Sequence, residues 1–174
     1  EFDRVLRFDA ATGNALSPIV FGGALAGMDI SPDENSLVVA DQAGSETQIW
    51  VWVVDLDTLV PHKLPINRND TMESGTWTAV YGADNMIYTS STFAGSGWTP
   101  LRKVNPVDKT AVEIVGVTQN VMLSPSGDRQ TIAWAPEMNP VFGLMVPVIP
   151  IASPRSLTSA NSATTLSRNG PRSF

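Results

Sequence analysis

The chain has 174 residues, a formal net charge of −6 and no cysteine. That length allows one domain with a buried core, and the missing cysteines exclude disulfides, thiol nucleophiles and thiolate metal sites. Acidity without any Lys or Arg cluster argues against a nucleic-acid partner, and 43% hydrophobic with 16% charged residues is a globular balance.

In chain order, the first predicted element is the β-rich run Arg4-Val5-Leu6-Arg7-Phe8, closed by the polar turn Asp9-Ala10-Ala11-Thr12-Gly13. Gly27-Met28-Asp29-Ile30 and Ser36-Leu37-Val38-Val39-Ala40 then read as two strands around the turn Ser31-Pro32-Asp33-Glu34-Asn35. Proline presets the first dihedral of such a turn, and Asp and Asn accept the conformations that follow. Trp50-Val51-Trp52-Val53-Val54 is a third strand type, closed by Asp55-Leu56-Asp57-Thr58. Thr78 to Thr89 repeats the hairpin plan around Gly82-Ala83-Asp84-Asn85. Leu101-Arg102-Lys103-Val104 repeats the strand before Asn105, and Asn120 to Ala133 repeats the hairpin around Ser124-Pro125-Ser126-Gly127-Asp128.

The strand-closing Asp or Asn residues stand at 9, 55 and 105. Their side chains accept a backbone N–H two residues on and so close the turn locally. Two interleaved signals with a period of roughly 40 to 50 residues fit four-stranded β units in tandem. The Ser-Pro-Asp and Ser-Pro-Ser-Gly-Asp turns resemble those between the first two strands of YVTN-type and WD40-like β-propeller repeats. The Asp-Ala-Ala-Thr-Gly and Asp-Leu-Asp-Thr turns resemble those that follow a blade's third strand. The resemblance spans residues 3 to about 135 and implies architecture alone; no Trp-Asp dipeptide of the strict WD40 kind occurs.

The expected fold is therefore all-β, with four-stranded antiparallel β-propeller blades in an incomplete ring. The count is the end of one blade, two blades nearly whole, and the opening hairpin of another. A closed ring takes at least about four blades, so the expectation is a fragment, or a subunit that completes a ring by self-association. Blade repeats are assigned to 3–137. Segment 138–174 is off-pattern and expected to be partly disordered, because acidic residues cease after Glu137 and Ser, Thr, Ala, Asn and Pro take over. A shifted reading frame or an unrelated fusion would produce the same change. The apolar run 140–152 is interrupted by three prolines and a glycine and is too short to span a bilayer as a helix. Either redox compartment suits the composition, an extracellular or periplasmic one being slightly favoured.

Candidate chemistry is sparse. His62 is the only histidine, which rules out a two-histidine relay or metal site within the chain; Leu59-Val60-Pro61 and Lys63-Leu64-Pro65 around it suggest a loop between blades. Asp55, Asp57, Asn67, Asn69 and Asp70 offer oxygen ligands for a hard cation such as calcium, against the plainer role of closing turns. Ser90-Ser91-Thr92 and Ser96 form no nucleophile elbow. Trp50 and Trp52 share one strand face, and Trp77 and Trp98 are placed near the outer strands of the next blade. Core packing explains most of these rings, but Trp98, following Gly95-Ser96-Gly97, is a candidate platform for a sugar ring or a peptide. Met28, Met86 and Met122 read as core gap-fillers. The leading functional expectation is a non-catalytic module binding a protein or a glycan through Trp98, Trp77 and His62, with no cofactor. The alternative is a calcium-assisted propeller hydrolase similar to lactonases, with Asp29 and Asp84 as the carboxylates to inspect.

Overall fold

A computed structural model describes residues 3–136 and 148–150, and every regular element among them is a β-strand. Strands β1 (Arg4–Phe8) and β2 (Ala15–Val20) form a two-stranded sheet. Strands β3 (Leu25–Ile30), β4 (Ser36–Gly44), β5 (Gln48–Asp55) and β6 (Pro61–Asn67) form a four-stranded sheet in chain order. Strands β7 (Glu73–Tyr81), β8 (Ile87–Phe93), β9 (Trp98–Asn105) and β10 (Thr110–Thr118) form a second. Strands β11 (Val121–Pro125), β12 (Thr131–Pro136) and β13 (Val148–Pro150) form a three-stranded sheet. All neighbouring strands are antiparallel.

Local side-chain chemistry explains where the strands turn. Asp9 Oδ1 accepts the amides of Ala11 and Thr12 at 3.0 and 2.7 Å, Asp55 Oδ1 those of Asp57 and Thr58 at 3.0 and 2.9 Å, and Asn105 Oδ1 those of Val107 and Asp108 at 2.9 and 3.2 Å. Each such turn joins the last two strands of its sheet. The turns between the first two strands of the later sheets form another equivalent set. Ser31 donates to Asp33 and Ser126 to Asp128, both at 2.6 Å, and Asp84 Oδ1 accepts the Met86 amide. Glu34, Asn85 and Arg129 occupy the same left-handed position in the three turns, with φ of 60, 57 and 55°.

The sheets stack face to face as wedges. Strand β7 lies against β3 and β4, and β11 lies against β7 and β8, whereas the outer strands β6 and β10 barely meet. Central strands bury both faces, which is why β4 and β5 read as continuous apolar runs. Leu37, Val39, Trp52 and Val54 pack against Ile19 and Phe21 of the first sheet. Val38, Ala40, Val51 and Val53 meet Ala79, Tyr81 and Ile87 of the second full sheet. Beyond it, Val80, Tyr88 and Leu101 meet Val121, Leu123 and Ile132. Close approach of β7 to β4 depends on Gly75, where a Cβ would lie 2.2 Å from the Gln42 carbonyl carbon.

The fold is thus all-β, with four-stranded antiparallel blades that do not close into a ring. At its first end the two-stranded sheet exposes Leu6 (64%) and Phe8 (62%), a bare apolar face. Met28 and Met122 are also exposed, contrary to the core role expected of them; they sit on β3 and β11, the first strands of their sheets, and point away from the packed interfaces. Of segment 138–174 only 148–150 are described, as the strand β13 on β12; the expected disorder lies outside the described residues.

Packing between blades has a spectroscopic consequence. The chain has two tyrosines. Burial pushes Tyr81 up to about 12, and burial together with the Asp84 charge raises Tyr88. A phenol whose folded value is raised contributes stability below its ordinary value, and that contribution is lost as pH climbs through the raised one. Alkaline titration of tyrosinate absorbance should therefore show no step at the ordinary phenol value, and Tyr81 should ionise together with loss of the fold. A step at the ordinary value in the folded protein would contradict this packing.

Candidate functional site

The blade β7–β10 has one edge where β7 and β9 begin and β8 and β10 end, because antiparallel strands alternate direction. At that edge lies a groove of about 320 Å³ lined by Asn69, Asp70, Glu73, Phe93, Trp98, Thr99, Pro100, Glu113 and Gly116. Trp98 is 70% exposed, against 8% for Trp52 in the core. A bare indole forgoes roughly 2 kcal/mol of burial, so its position is informative.

The loop that presents Trp98 is tied down on several sides. The Ala94 amide donates to the Met72 carbonyl at 2.6 Å and the Gln119 amide to the Gly97 carbonyl at 3.1 Å. The Gln119 side chain accepts from the Phe93 amide at 3.1 Å and donates to the Gly95 carbonyl. Gly97 lies flat on Phe93: a Cβ there would sit 2.8 Å from the ring. These contacts fix the tryptophan on a prepared support.

Register brings the remaining groups to the same face. Trp98, Pro100 and Arg102 alternate onto one side of β9 and pair across to Thr118, Gly116 and Glu113 of β10. In a regular strand Glu113 and Gly116 would face opposite ways. A bulge between Glu113 and Val115 inserts Ile114 and turns Glu113 to the Gly116 side. The Asn69 side-chain amide, from the loop after β6, donates to Glu113, and Asp70 Oδ1 accepts the Met72 amide at 2.8 Å.

Beneath the groove lies a buried ion pair. Glu73 on β7 and Arg102 on β9 are 1% and 2% exposed; Arg102 Nη1 donates to Glu73 Oε1, and Nη2 to Oε2 at 2.8 Å. Ser91 accepts from Arg102 at 3.1 Å, and the Asn69 amide donates to Glu73 at 3.2 Å. Burial pushes the Glu73 carboxyl up, but hydrogen bonds from Arg102 and Ser91 and the guanidinium charge outweigh it and hold the group below its ordinary value. The pair ties together the strands that frame the groove.

Of the residues singled out by sequence, Trp98 and Asp70 meet in this groove, with Asn69 beside them. Trp77 lies elsewhere, on the first strand of the blade rather than near an outer one, at a bulge between Thr76 and Ala79. His62 lies on strand β6, exposed and opposite Val53, not in a loop. Its neighbour Lys63 pairs with Trp52 and caps the Trp50 ring at 3.6 Å, so outer-strand packing sets this stretch straight. Asp55 and Asp57 belong to the turn before β6, and Asp70 follows that strand. A strand of this length separates them by about 20 Å, and Asp55 is engaged in closing its turn. No group of three or more His, Asp or Glu side chains suited to a metal ion occurs among the described residues.

Asp29 and Asp84 are each engaged by a cation. Asp29 accepts two bonds from Arg129, at 2.5 and 3.1 Å, and one from the Tyr81 amide at 2.9 Å. This joins the first hairpins of three successive sheets. Asp84 pairs with Lys103 at 2.7 Å. Asp29 thus braces successive blades, Asp84 braces its own, and each carboxylate is taken up by a cation. Sequence reasoning missed Glu73, Phe93 and Glu113; a bulge and pairing between distant strands place them, and neither leaves a local signal.

No family model matches the chain, and no characterised protein matches it in sequence. Solved structures do match in shape. A chain of hydrazine synthase from Kuenenia stuttgartiensis aligns with a TM-score of 0.64 at 17% identity, covering 86% of this chain and 46% of that one. The tricorn protease aligns with a TM-score of 0.49 at 16% identity, covering 87% of this chain and 17% of that one. This chain therefore spans less than half the length of either. Both are β-propeller proteins, and the likeness to hydrazine synthase places this chain in the β-propeller fold without indicating an activity.

Proposed function

We propose that the chain is a non-catalytic β-propeller module that binds a segment of a protein or a glycan in the groove beside Trp98. The observation that carries this reading is a largely bare tryptophan on a rigidly tied loop, next to a concave surface with polar groups converging on it. An exposed indole supplies contact area at little entropic cost, and a preformed groove avoids ordering a loop on binding. The engaged state of Asp29 and Asp84 favours this reading over carboxylate-based hydrolysis. The bare Leu6 and Phe8 face supports assembly with a further sheet as part of the same role.

Trp98→Ala separates function from folding. The exposed ring contributes little to the core, so stability should change by no more than about 0.5 kcal/mol. Binding should fall by about 30-fold, the effect of losing a central aromatic anchor. Screening the protein and this variant against immobilised glycans and peptides would check it. Ligands held equally well by both proteins would place the site elsewhere.

A further inference from the structure

We infer that the Trp98 groove takes a positively charged side chain, a lysine or arginine presented by a basic segment of a partner protein; this rests on the groove being the binding site. Three observations converge on a cation. The lining includes two carboxylates, Asp70 and Glu113, in addition to Glu73, and contains no Lys, Arg or His. Arg102, the nearest buried cation, is spent on Glu73 and so does not neutralise the other two. Arg68, on the approach, directs its guanidinium at the carbonyls of Ser45, Asp70 and Thr71 rather than at a carboxylate.

The second observation is the aromatic pair. Phe93 and Trp98 both line the groove, and a ring face attracts ammonium and guanidinium groups through its quadrupole. Ring and carboxylate together solvate a cation from two sides, which neither does alone. This chain already uses that attraction at Lys63, whose ammonium lies 3.6 Å from the Trp50 ring and 5.1 Å from the Trp52 ring.

The third is the bulge at Ile114. Without it Glu113 would face away from Gly116 and the groove would hold one carboxylate fewer on that wall. The Asn69 side-chain amide then orients Glu113, and the Met72 backbone amide orients Asp70, both donors being neutral and bringing no positive charge to the groove. The overall charge of −6 adds long-range attraction for a basic partner.

The test uses tetralysine and tetraarginine as probes, with tetraglutamate and an uncharged chitin hexasaccharide as comparators, followed by tryptophan fluorescence and by the NMR signal of the Trp98 indole. Tetralysine or tetraarginine should shift the Trp98 signal and tetraglutamate should not. Affinity should fall about tenfold in Trp98→Leu and in the isosteric Asp70→Asn with Glu113→Gln, and should weaken with added salt. Asp57→Asn, on a remote turn, should leave it unchanged. Equal losses in Asp57→Asn would show general attraction to an acidic protein and overturn the proposal. Binding of the hexasaccharide at Trp98 without the basic peptides would overturn it while preserving the groove as a binding site. A Trp98 signal indifferent to every probe would overturn the proposal and count against the groove itself.

Discussion

Replacing Asp41 with Ala should destabilise the protein by about 4 kcal/mol, a loss set by the donors that would be left without an acceptor. Asp41 is 0% exposed and has no cationic partner among the described residues. Its carboxyl oxygens accept hydrogen bonds from four N–H groups. Oδ1 accepts the amides of Ala24 and Ala43, both at 3.0 Å; Oδ2 accepts the indoles of Trp50 and Trp52 at 2.7 and 2.8 Å. Gly23 leaves room for this carboxylate, since a Cβ there would lie 2.1 Å from Oδ2. Each buried donor deprived of its acceptor costs about 1–3 kcal/mol, with Trp50 at the low end because water can reach it. Asp41→Asn should lose roughly half as much, since its one remaining oxygen can serve only one of the two donor pairs. Urea unfolding followed by tryptophan fluorescence would measure both. A loss under about 1 kcal/mol for the alanine variant would mean that water replaces the carboxylate and that the site is open to solvent.

The contrast between Asp41 and the strand-closing Asp residues shows which parts of this fold could be read in advance. Asp9, Asp55 and Asn105 bond to amides two and three residues away, so their role is written in the local sequence and sets the rhythm of the blades. The repeating four-stranded plan followed from that rhythm, although the strands β2, β6 and β10 that return after each such turn carried no mark of their own. Asp41 bonds to residues on three strand or loop segments, and Asp29 to Arg129 across 100 positions. Nothing near either residue marks such a bond. The groove was half legible for the same reason. The glycines before Trp98 mark it as a turn residue, whereas the bulge that brings Glu113 round breaks the alternation by which a strand's faces are read. His62 failed in the opposite direction, its flanking prolines suggesting a loop where β6 runs straight along β5.

Arg102→Met should cost about 3–5 kcal/mol at neutral pH, because it strands the Glu73 carboxylate in the core. The pair is nearly dry on both sides, so screening by solvent does not soften the loss. The pH dependence distinguishes this cause from simple loss of packing. In the native protein the Glu73 value is depressed from the ordinary 4.5. Its contribution to stability is therefore complete above that ordinary value and is lost as pH falls through the depressed one. In Arg102→Met the same carboxyl has burial without a cation, its value rises, and the folded protein takes up a proton instead of holding a bare charge. Urea unfolding at neutral pH and again below the ordinary glutamate value should show the gap between the two proteins narrowing with acidity; a constant gap would assign the loss to shape alone. Adding Glu73→Leu to Arg102→Met should recover most of the stability, since two apolar side chains of similar bulk leave no charge to solvate. If that double variant folds well but binds poorly at Trp98, the pair serves chiefly to hold β7 and β9 in the spacing the groove requires. Ligand contact at Trp98 would then depend on a charge pair almost wholly buried at the floor of the groove.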